Sequence, residues 1–405
     1  MSPSREAIKA YEARLIAYEQ HAGRAGPARD QTVRGRRPPS RVSPLVRVRR
    51  VIVFASLLLV VYALSSFAIA MSKPSNVGFG VNAVEWLRGN GLAWLVNDIE
   101  NIYYSLNAPA KGGPPLKRLP EVGHGGPRTS VASFAPAGIA PVIHPTLPGE
   151  GKWHGTGPTV GGAAPVLVTT FRPDPTYPQM VAGVAWIDHT RSSVALIAGR
   201  YEPPSGPGNR LAEVPPQLRS KLLATFNSGF KLEDSGGAGF YAAGHLYAPL
   251  RDGQATIIGY SNGSVDLRSW TGDPTPGPGI EFARQNLPLI VENGHLNPAL
   301  SDGALWGATL GNAVRVWRSG VGIDAHGNLI YAAADIQTAQ SLAQILQHAG
   351  AVRAMELDIN YEWTTFNWYG AWGAGQPTKL LPGMDRPPTR YLTPDDRDFF
   401  AVYAR

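Results

Sequence analysis

Apolar positions are unevenly spread along the chain, and their spacing divides it into five stretches. From Val51 to Met71 no residue is charged. Twenty-one such residues at about 1.5 Å each cover a hydrocarbon core of roughly 30 Å, so the run predicts one transmembrane helix over 51–71. It begins too late, and is too long, for a cleavable signal peptide. In 72–106, Leu92, Leu95, Val96, Ile99 and Ile102 follow helical spacing with Asn97, Asp98, Glu100 and Asn101 opposite. That pattern predicts a juxtamembrane amphipathic helix, carrying Trp86, Trp94, Tyr103 and Tyr104, that lies at the lipid interface or packs on the outer domain. Residues 107–165 are crowded with Gly and Pro and read as a stalk or a wrapping segment.

Beyond Val166 the pattern changes to short β-branched or aromatic runs separated by turn residues. These are Val166–Phe171, Val181–Ile187, Ser193–Ile197, Leu222–Phe226, Thr256–Ile258, Leu287–Val291, Ala313–Trp317 and Leu329–Ala333. One helix is signalled after Thr338 as cap: Leu342, Ile345, Leu346 and Ala349 form its stripe, and Gly350 stops it. A strand from Val352 to about Asn360 follows. The expected fold class is α+β, a strand-rich mixed-sheet ectodomain over 166–405 with few helices, preceded by one transmembrane helix. No fixed period suggests a propeller or solenoid.

Charge sharpens the topology. Residues 1–50 hold 12 Lys or Arg against 4 Asp or Glu, so a chain total of +7 leaves −1 for everything after Arg50. The basic stretch reads as a disordered cytoplasmic tail with one short helical pattern near Ile8–Tyr18. Its arginines beside the span place the N-terminus inside and the C-terminal domain outside a plasma membrane. They also make membrane lipid, and not nucleic acid, the expected partner. With no cysteine in the chain, disulfides and thiolate metal sites are excluded. No histidine spacing suggests a metal, and no metal or other cofactor is expected. Oligomeric state is left open.

Three polar segments end predicted strands: Leu223-Ala-Thr-Phe-Asn227-Ser228-Gly229-Phe230, Trp317-Arg318-Ser319-Gly320-Val321-Gly322-Ile323-Asp324, and Met355-Glu356-Leu357-Asp358-Ile359-Asn360-Tyr361-Glu362. Alternation along a strand puts Glu356 and Asp358 on one face, with Asn360 beyond. Two carboxylates so close raise at least one pKa, as a general acid requires. Asp324 and Glu362 are further candidates for the second carboxylate of a glycoside hydrolase. Alternatively, these acids pair with Arg318 and Arg353. Arg318 suits a phosphate or carboxylate clamp, or a hold on Asp358, and His245 and His295 sit near polar turns where they serve proton transfer, a metal, or simply structure and surface. Six aromatics, Tyr361, Trp363, Phe366, Trp368, Tyr369 and Trp372, follow Asp358; they fit a sugar-stacking lining, with a share of them in the core.

In order and spacing the three segments resemble the phosphodiester glycosidase family, which includes an enzyme that removes N-acetylglucosamine from a phosphodiester. Asn227, Gly229 and Phe230 match its Asn-Gly-Gly-Phe-Phe segment. Arg318, Gly322 and Ile323 match its Arg-Thr-Ala-Ile-Gly strand with one residue inserted, and Leu357 and Asp358 match its Leu-Asp-Gly-Gly-Gly-Ser strand end. The resemblance implies Asp358 in catalysis, to which the residue pattern adds Glu356 and Asp324. It implies Asn227, Gly229 and Arg318 in binding an envelope glycan or sugar-phosphate substrate, to which the polar and aromatic pattern adds Asn360, Tyr361, Trp363 and His295. Ile359-Asn360-Tyr361-Glu362 replaces the family's glycine run, where backbone amides would otherwise approach a phosphate closely. The departure implies either a changed substrate or a non-catalytic glycan-binding or scaffolding protein.

Overall fold

The structure, a computed structural model, describes residues 9–10, 12–14, 43–106, 110–114, 116–123, 135–307 and 315–405. Most of the basic tail, including much of the Ile8–Tyr18 pattern, lies outside them. The apolar run forms helix α1, Pro44–Ser72. Among the described residues it is the one helix long and apolar enough to cross a membrane. The chain divides into two units, Met1–Ser66 and Phe67–Arg405; all that follows concerns the second.

Where one amphipathic helix was expected, there are two. Helix α2 is Phe79–Leu87 and helix α3 is Ala93–Leu106, joined through a π-helical turn at Arg88–Leu92. Gly91 sits there at φ +81°, a left-handed conformation that glycine adopts without a Cβ penalty and that interrupts a continuous helix.

Three antiparallel sheets follow. The largest has eight strands in the order His154–Gly155, Val166–Phe171, Ala182–Ile187, Leu329–Gln337, Val316–Ile323, Arg353–Glu356, Leu289–Glu292 and His295–Leu296. A five-stranded sheet comprises Gly375–Lys379, Phe366–Ala371, Leu222–Asn227, Phe399–Ala404 and Ser192–Ile197. Another is ordered His245–Ala248, Phe240–Ala242, Ile280–Gln285, Ala255–Tyr260 and Val265–Ser269. The strand–helix–strand pattern read from the sequence leads to a mixed sheet, yet every pairing among the described residues is antiparallel. The reason is the order: Val316–Ile323 lies between Leu329–Gln337 and Arg353–Glu356, so the two strands flanking the helix never bond to each other.

Helix α4, Ala339–His348, starts at a capping box in which Thr338 Oγ1 accepts from the Ser341 amide at 3.1 Å and Ser341 Oγ accepts from the Thr338 amide at 2.9 Å. Its Leu342, Ile345 and Leu346 pack with Ile330, Ala332 and Ala354 on one face of the large sheet. On the other face, Val321, Tyr331, Ala333 and Met355 pack with Phe226, Phe366 and Phe400 of the smaller sheet. A Cβ on Gly320 would stand 2.8 Å from Leu346 Cδ1 and 2.9 Å from the Met355 carbonyl, so glycine there lets α4 lie close on the strand. In the described parts of the Gly/Pro-rich segment, Leu119 and Ile139 are buried, and Glu150 forms a sealed ion pair with Arg172 at 2.8 Å.

Candidate active site

The strand Arg353–Glu356 ends before the expected alternation reaches Asp358, and this decides where the two carboxylates go. Glu356 pairs in register with Gly320, on the face that α4 covers. There it accepts a hydrogen bond from Arg318 Nη1 at 2.5 Å, while Arg318 also donates to the carbonyls of Gln337 at 3.0 Å and Trp306 at 3.2 Å. Both side chains have no exposed surface. Burial raises the Glu356 pKa, against the pull of Arg318.

At Leu357 the chain leaves the sheet, its amide donating to the Ser319 carbonyl at 2.8 Å. Asp358 then turns to a different arginine. Its Oδ2 accepts from Arg397 Nη2 at 2.7 Å and its Oδ1 from the Asn360 amide at 3.0 Å. Burial dominates and raises the Asp358 pKa, with Arg397 and the Asn360 amide opposing. The two acids therefore do not share one face.

Asp358 lines a cleft of about 430 Å³ with Asn360, Tyr361, Trp363, Lys231 and Arg397. A neighbouring hollow of about 280 Å³ shares Lys231, Trp363 and Arg397 and adds Glu202. Trp363 is nearly buried, its ring 5.1 Å from the Arg397 guanidinium and 5.2 Å from that of Arg390, which fixes both the ring and the cation facing Asp358. Tyr361 is half exposed at the rim. Glu202 accepts from the Leu232 amide at 2.8 Å. Its pKa is pushed up to about 7, mainly by burial, while Arg397 pulls it down. Lys231 has its pKa lowered by burial and then by Arg397; it pairs with Glu85 of α2.

The other sequence candidates stand elsewhere. Asn227 is a buried junction: it donates to Ser319 Oγ and accepts from Tyr331 OH and the Thr365 amide. Gly229 backs the cleft, its carbonyl accepting from Arg397 Nη2 at 3.3 Å. Asp324 stands at the far end of its strand, four residues past the rung opposite Glu356, where it accepts from Trp186 Nε1 and the His326 and Asn328 amides of a hairpin turn. His295 is exposed on the edge strand opposite Glu292. Glu362 pairs with Arg386 at 2.7 Å, and Arg353 with Asp266 at 2.7 Å. Among the aromatics, Phe366, Trp368 and Tyr369 are core residues. No group of three or more His, Asp or Glu among the described residues is placed to hold a metal ion.

The glycine run's replacement has a definite conformation. Asn360 Oδ1 accepts from the Glu362 amide at 2.9 Å, and the Asn360 carbonyl accepts from the amides of Trp363 and Thr364 at 3.0 Å each. Those amides, and that of Asn360, are used inside the turn. The segment displays side chains to the cleft in place of a backbone cradle.

Residues 220–358 match the phosphodiester glycosidase family. The match covers about a third of the chain, bears out the resemblance read from the sequence, and is consistent with a divergent member. No curated protein sequence matches it. Among solved structures, the chain is similar to the catalytic domain of zebrafish N-acetylglucosamine-1-phosphodiester alpha-N-acetylglucosaminidase auto-inhibited by its pro-peptide. The two share 15% identity over 62% of this chain and 86% of that one, with a TM-score of 0.39. A hypothetical protein from Synechocystis gives 13% identity over 61% and 63%, TM-score 0.35. A Burkholderia pseudomallei protein described as exported gives 14% over 57% and 75%, TM-score 0.33. The family match ends at Asp358, and the arginine that Asp358 faces lies 39 residues further on.

Proposed function

We propose that this chain is a membrane-anchored hydrolase of sugar phosphodiesters or envelope glycans, working outside the cytoplasm from a single-pass anchor whose basic tail stays inside. The observation that carries this reading is the Asp358–Arg397 pair, set at the cleft against Trp363.

In this reading the sugar stacks on Tyr361 and Trp363, and Arg397 with Lys231 holds the phosphate. Asp358 faces the anomeric carbon as base or nucleophile, and Glu202 is the second carboxylate. Cleavage breaks the bond from the anomeric carbon to the phosphodiester oxygen, whose electron pair leaves with the phosphomonoester. Water supplies the hydroxyl to the sugar, and its proton passes to a carboxylate. A phosphate leaving group has a pKa near 6 and departs with little help from an acid, so two cations beside it matter more than a strong proton donor. Glu202, poised near neutrality, suits the deprotonation of water.

Full-length protein in detergent, given an N-acetylglucosamine-1-phosphodiester, is expected to release sugar and phosphomonoester. Asp358→Asn is expected to slow release by about 10²–10⁴-fold. Turnover that is absent, or indifferent to Asp358→Asn, refutes the reading. A second reading, a glycan-binding protein without catalysis, is favoured by the turn at 360–364, in which the amides of Asn360, Glu362, Trp363 and Thr364 are spent internally. Saturable sugar binding without hydrolysis would select it.

A further inference from the structure

Helix α3 uses its two faces in the opposite sense to a core helix. Ala93, Asn97 and Glu100, at i, i+4 and i+7, turn toward the domain and line the cleft beside Glu85 and Arg88. Leu95, Ile99, Ile102 and Leu106, at i, i+4, i+7 and i+11, stripe the other side and are 37, 58, 60 and 81% exposed. Phe79 and Trp94 add exposed rings of 67 and 61%. Apart from buried Val96, the long apolar side chains of this helix face outward, alongside exposed Asp98, and Asn97 and Glu100 face the protein.

The helix pair is tied down. Glu85 pairs with Lys231, Ser75 Oγ donates to Asp396 at 2.5 Å, and Asn76 Nδ2 donates to Asp395 at 2.6 Å. Arg386 Nη2 returns a bond to the Asn76 carbonyl at 2.5 Å, and Val96 is buried. Only residues 73–78 separate α2 from Ser72, the end of the one helix among the described residues that is long and apolar enough to span a bilayer. Phe67 of that helix packs edge-on against Phe79 and Trp86, ring centroids 5.9 and 5.2 Å apart.

We infer that the apolar stripe of α3 seats in the bilayer interface, and that the cleft behind it takes a sugar phosphodiester still esterified to a membrane lipid. The second half of this rests on the reading in the preceding section. The occupant of the stripe follows from continuity with α1. The substrate class follows from depth. A helix with its side chains is about 10 Å across, and an interfacial helix sinks about 5–10 Å into the boundary between headgroups and chains. The cleft on the inner side of α3 then stands at headgroup level, where a lipid-borne sugar phosphate reaches Asp358 with its acyl or prenyl chain still in the membrane. Glu85, Arg88, Asn97 and Glu100 become part of the substrate site.

Because the chain lacks cysteine, a single Ile102→Cys accepts a spin label on the full-length protein. In vesicles of phosphatidylethanolamine and phosphatidylglycerol, the label at 102 is expected to meet oxygen more often than a polar nickel complex. A Glu281→Cys control on the exposed face of a distant strand is expected to show the reverse. A water-exposed label at 102 overturns the inference, as does dipolar broadening that places a second copy on the stripe. For the substrate, N-acetylglucosamine-1-phosphate esterified to a long-chain prenol in the vesicles is compared with its methyl ester in solution. At least tenfold higher kcat/KM is expected for the prenyl ester, falling about tenfold in Ile99→Glu/Ile102→Glu while the methyl ester rate stays unchanged. Equal use of the two esters overturns it. Hydrolysis of neither refutes the catalytic reading alone. In that case a Tm rise in nanodiscs carrying the prenyl ester, absent with the free prenol, sustains the lipid-linked ligand, and no rise refutes it.

Discussion

Two arginine–carboxylate pairs stand two residues apart on one segment of this chain, and their surroundings are opposite. Arg318 and Glu356 meet at 2.5 Å beneath α4, both sealed from solvent. Arg397 and Asp358 meet at 2.7 Å at the wall of a cleft, each side chain slightly exposed. The chemistry is the same, and the difference is made by the end of a strand: Glu356 is held in register opposite Gly320, whereas Asp358 lies past the last rung. A pair inside a sheet is part of the packing. A pair at the strand end is available to a ligand.

The sharpest way to break this comparison is to remove each arginine. Arg318→Met leaves Glu356 buried without its counter-charge, and removing one partner of such a pair costs about 3–5 kcal/mol. Urea melts should show that loss, with activity tracking the folded fraction. Arg397→Met leaves Asp358 at a cleft where water can enter. Its melt should shift by less than half as much, while turnover falls by about 10²–10³ as the phosphate loses a fixed cation. Equal losses of stability in the two variants would mean that both pairs are structural.

The sequence was most legible where a local rule governs. Thr338, the Leu342–Leu346 stripe and Gly350 delimit α4 because capping and helical period depend on a few neighbours. Strands such as Val166–Phe171 showed as apolar runs for the same reason. Asp358 drew attention because it matches a family motif, and Trp363 because it belongs to the aromatic run that follows. Arg397 in the cleft and Glu202 in the neighbouring hollow drew none, since they come from segments far apart in sequence and carry no motif. The only trace of Arg397 is the Asp395-Asp396-Arg397-Asp398 run ahead of the last strand, a density of charge unusual beside a buried Phe-Phe-Ala-Val. The motif's own Arg318 and Asn227 drew attention as ligands because single-sequence spacing cannot tell which face of a sheet a helix covers.

Glu202 gives a pH test of the cleft side of the comparison. Its folded pKa of about 7 stands above the ordinary value of 4.5, so between those limits the folded state binds the extra proton. Its contribution to stability is complete below pH 4.5 and is lost as pH rises through 7. Glu202→Gln keeps an acceptor for the Leu232 amide and removes the charge. The variant should match the parent at pH 4.5 and exceed it above pH 7 by at most about 3 kcal/mol, from the width of that window. In the parent, kcat/KM should rise through a pKa near 7, a limb that Glu202→Gln abolishes. Parallel stability curves for the two proteins would remove Glu202 from the electrostatics of the site.

The smallest effect concerns the third cation, Lys231, whose partner comes from outside the sheets. Its ammonium and the Glu85 carboxylate are each about one-fifth exposed, and a pair open to water is worth about 1 kcal/mol or less. Glu85→Gln should therefore barely move the melting temperature. If Lys231 holds phosphate, however, Glu85 competes with the substrate for it, and removing that charge should lower KM severalfold with little change in kcat. Added salt should narrow the gap between variant and parent, because it screens the competition in both. A KM unchanged by Glu85→Gln would mean that α2 only walls the cleft and that Arg397 alone meets the anion. Reduced binding would mean that Glu85 itself touches the sugar, which makes the helix pair a substrate contact in its own right.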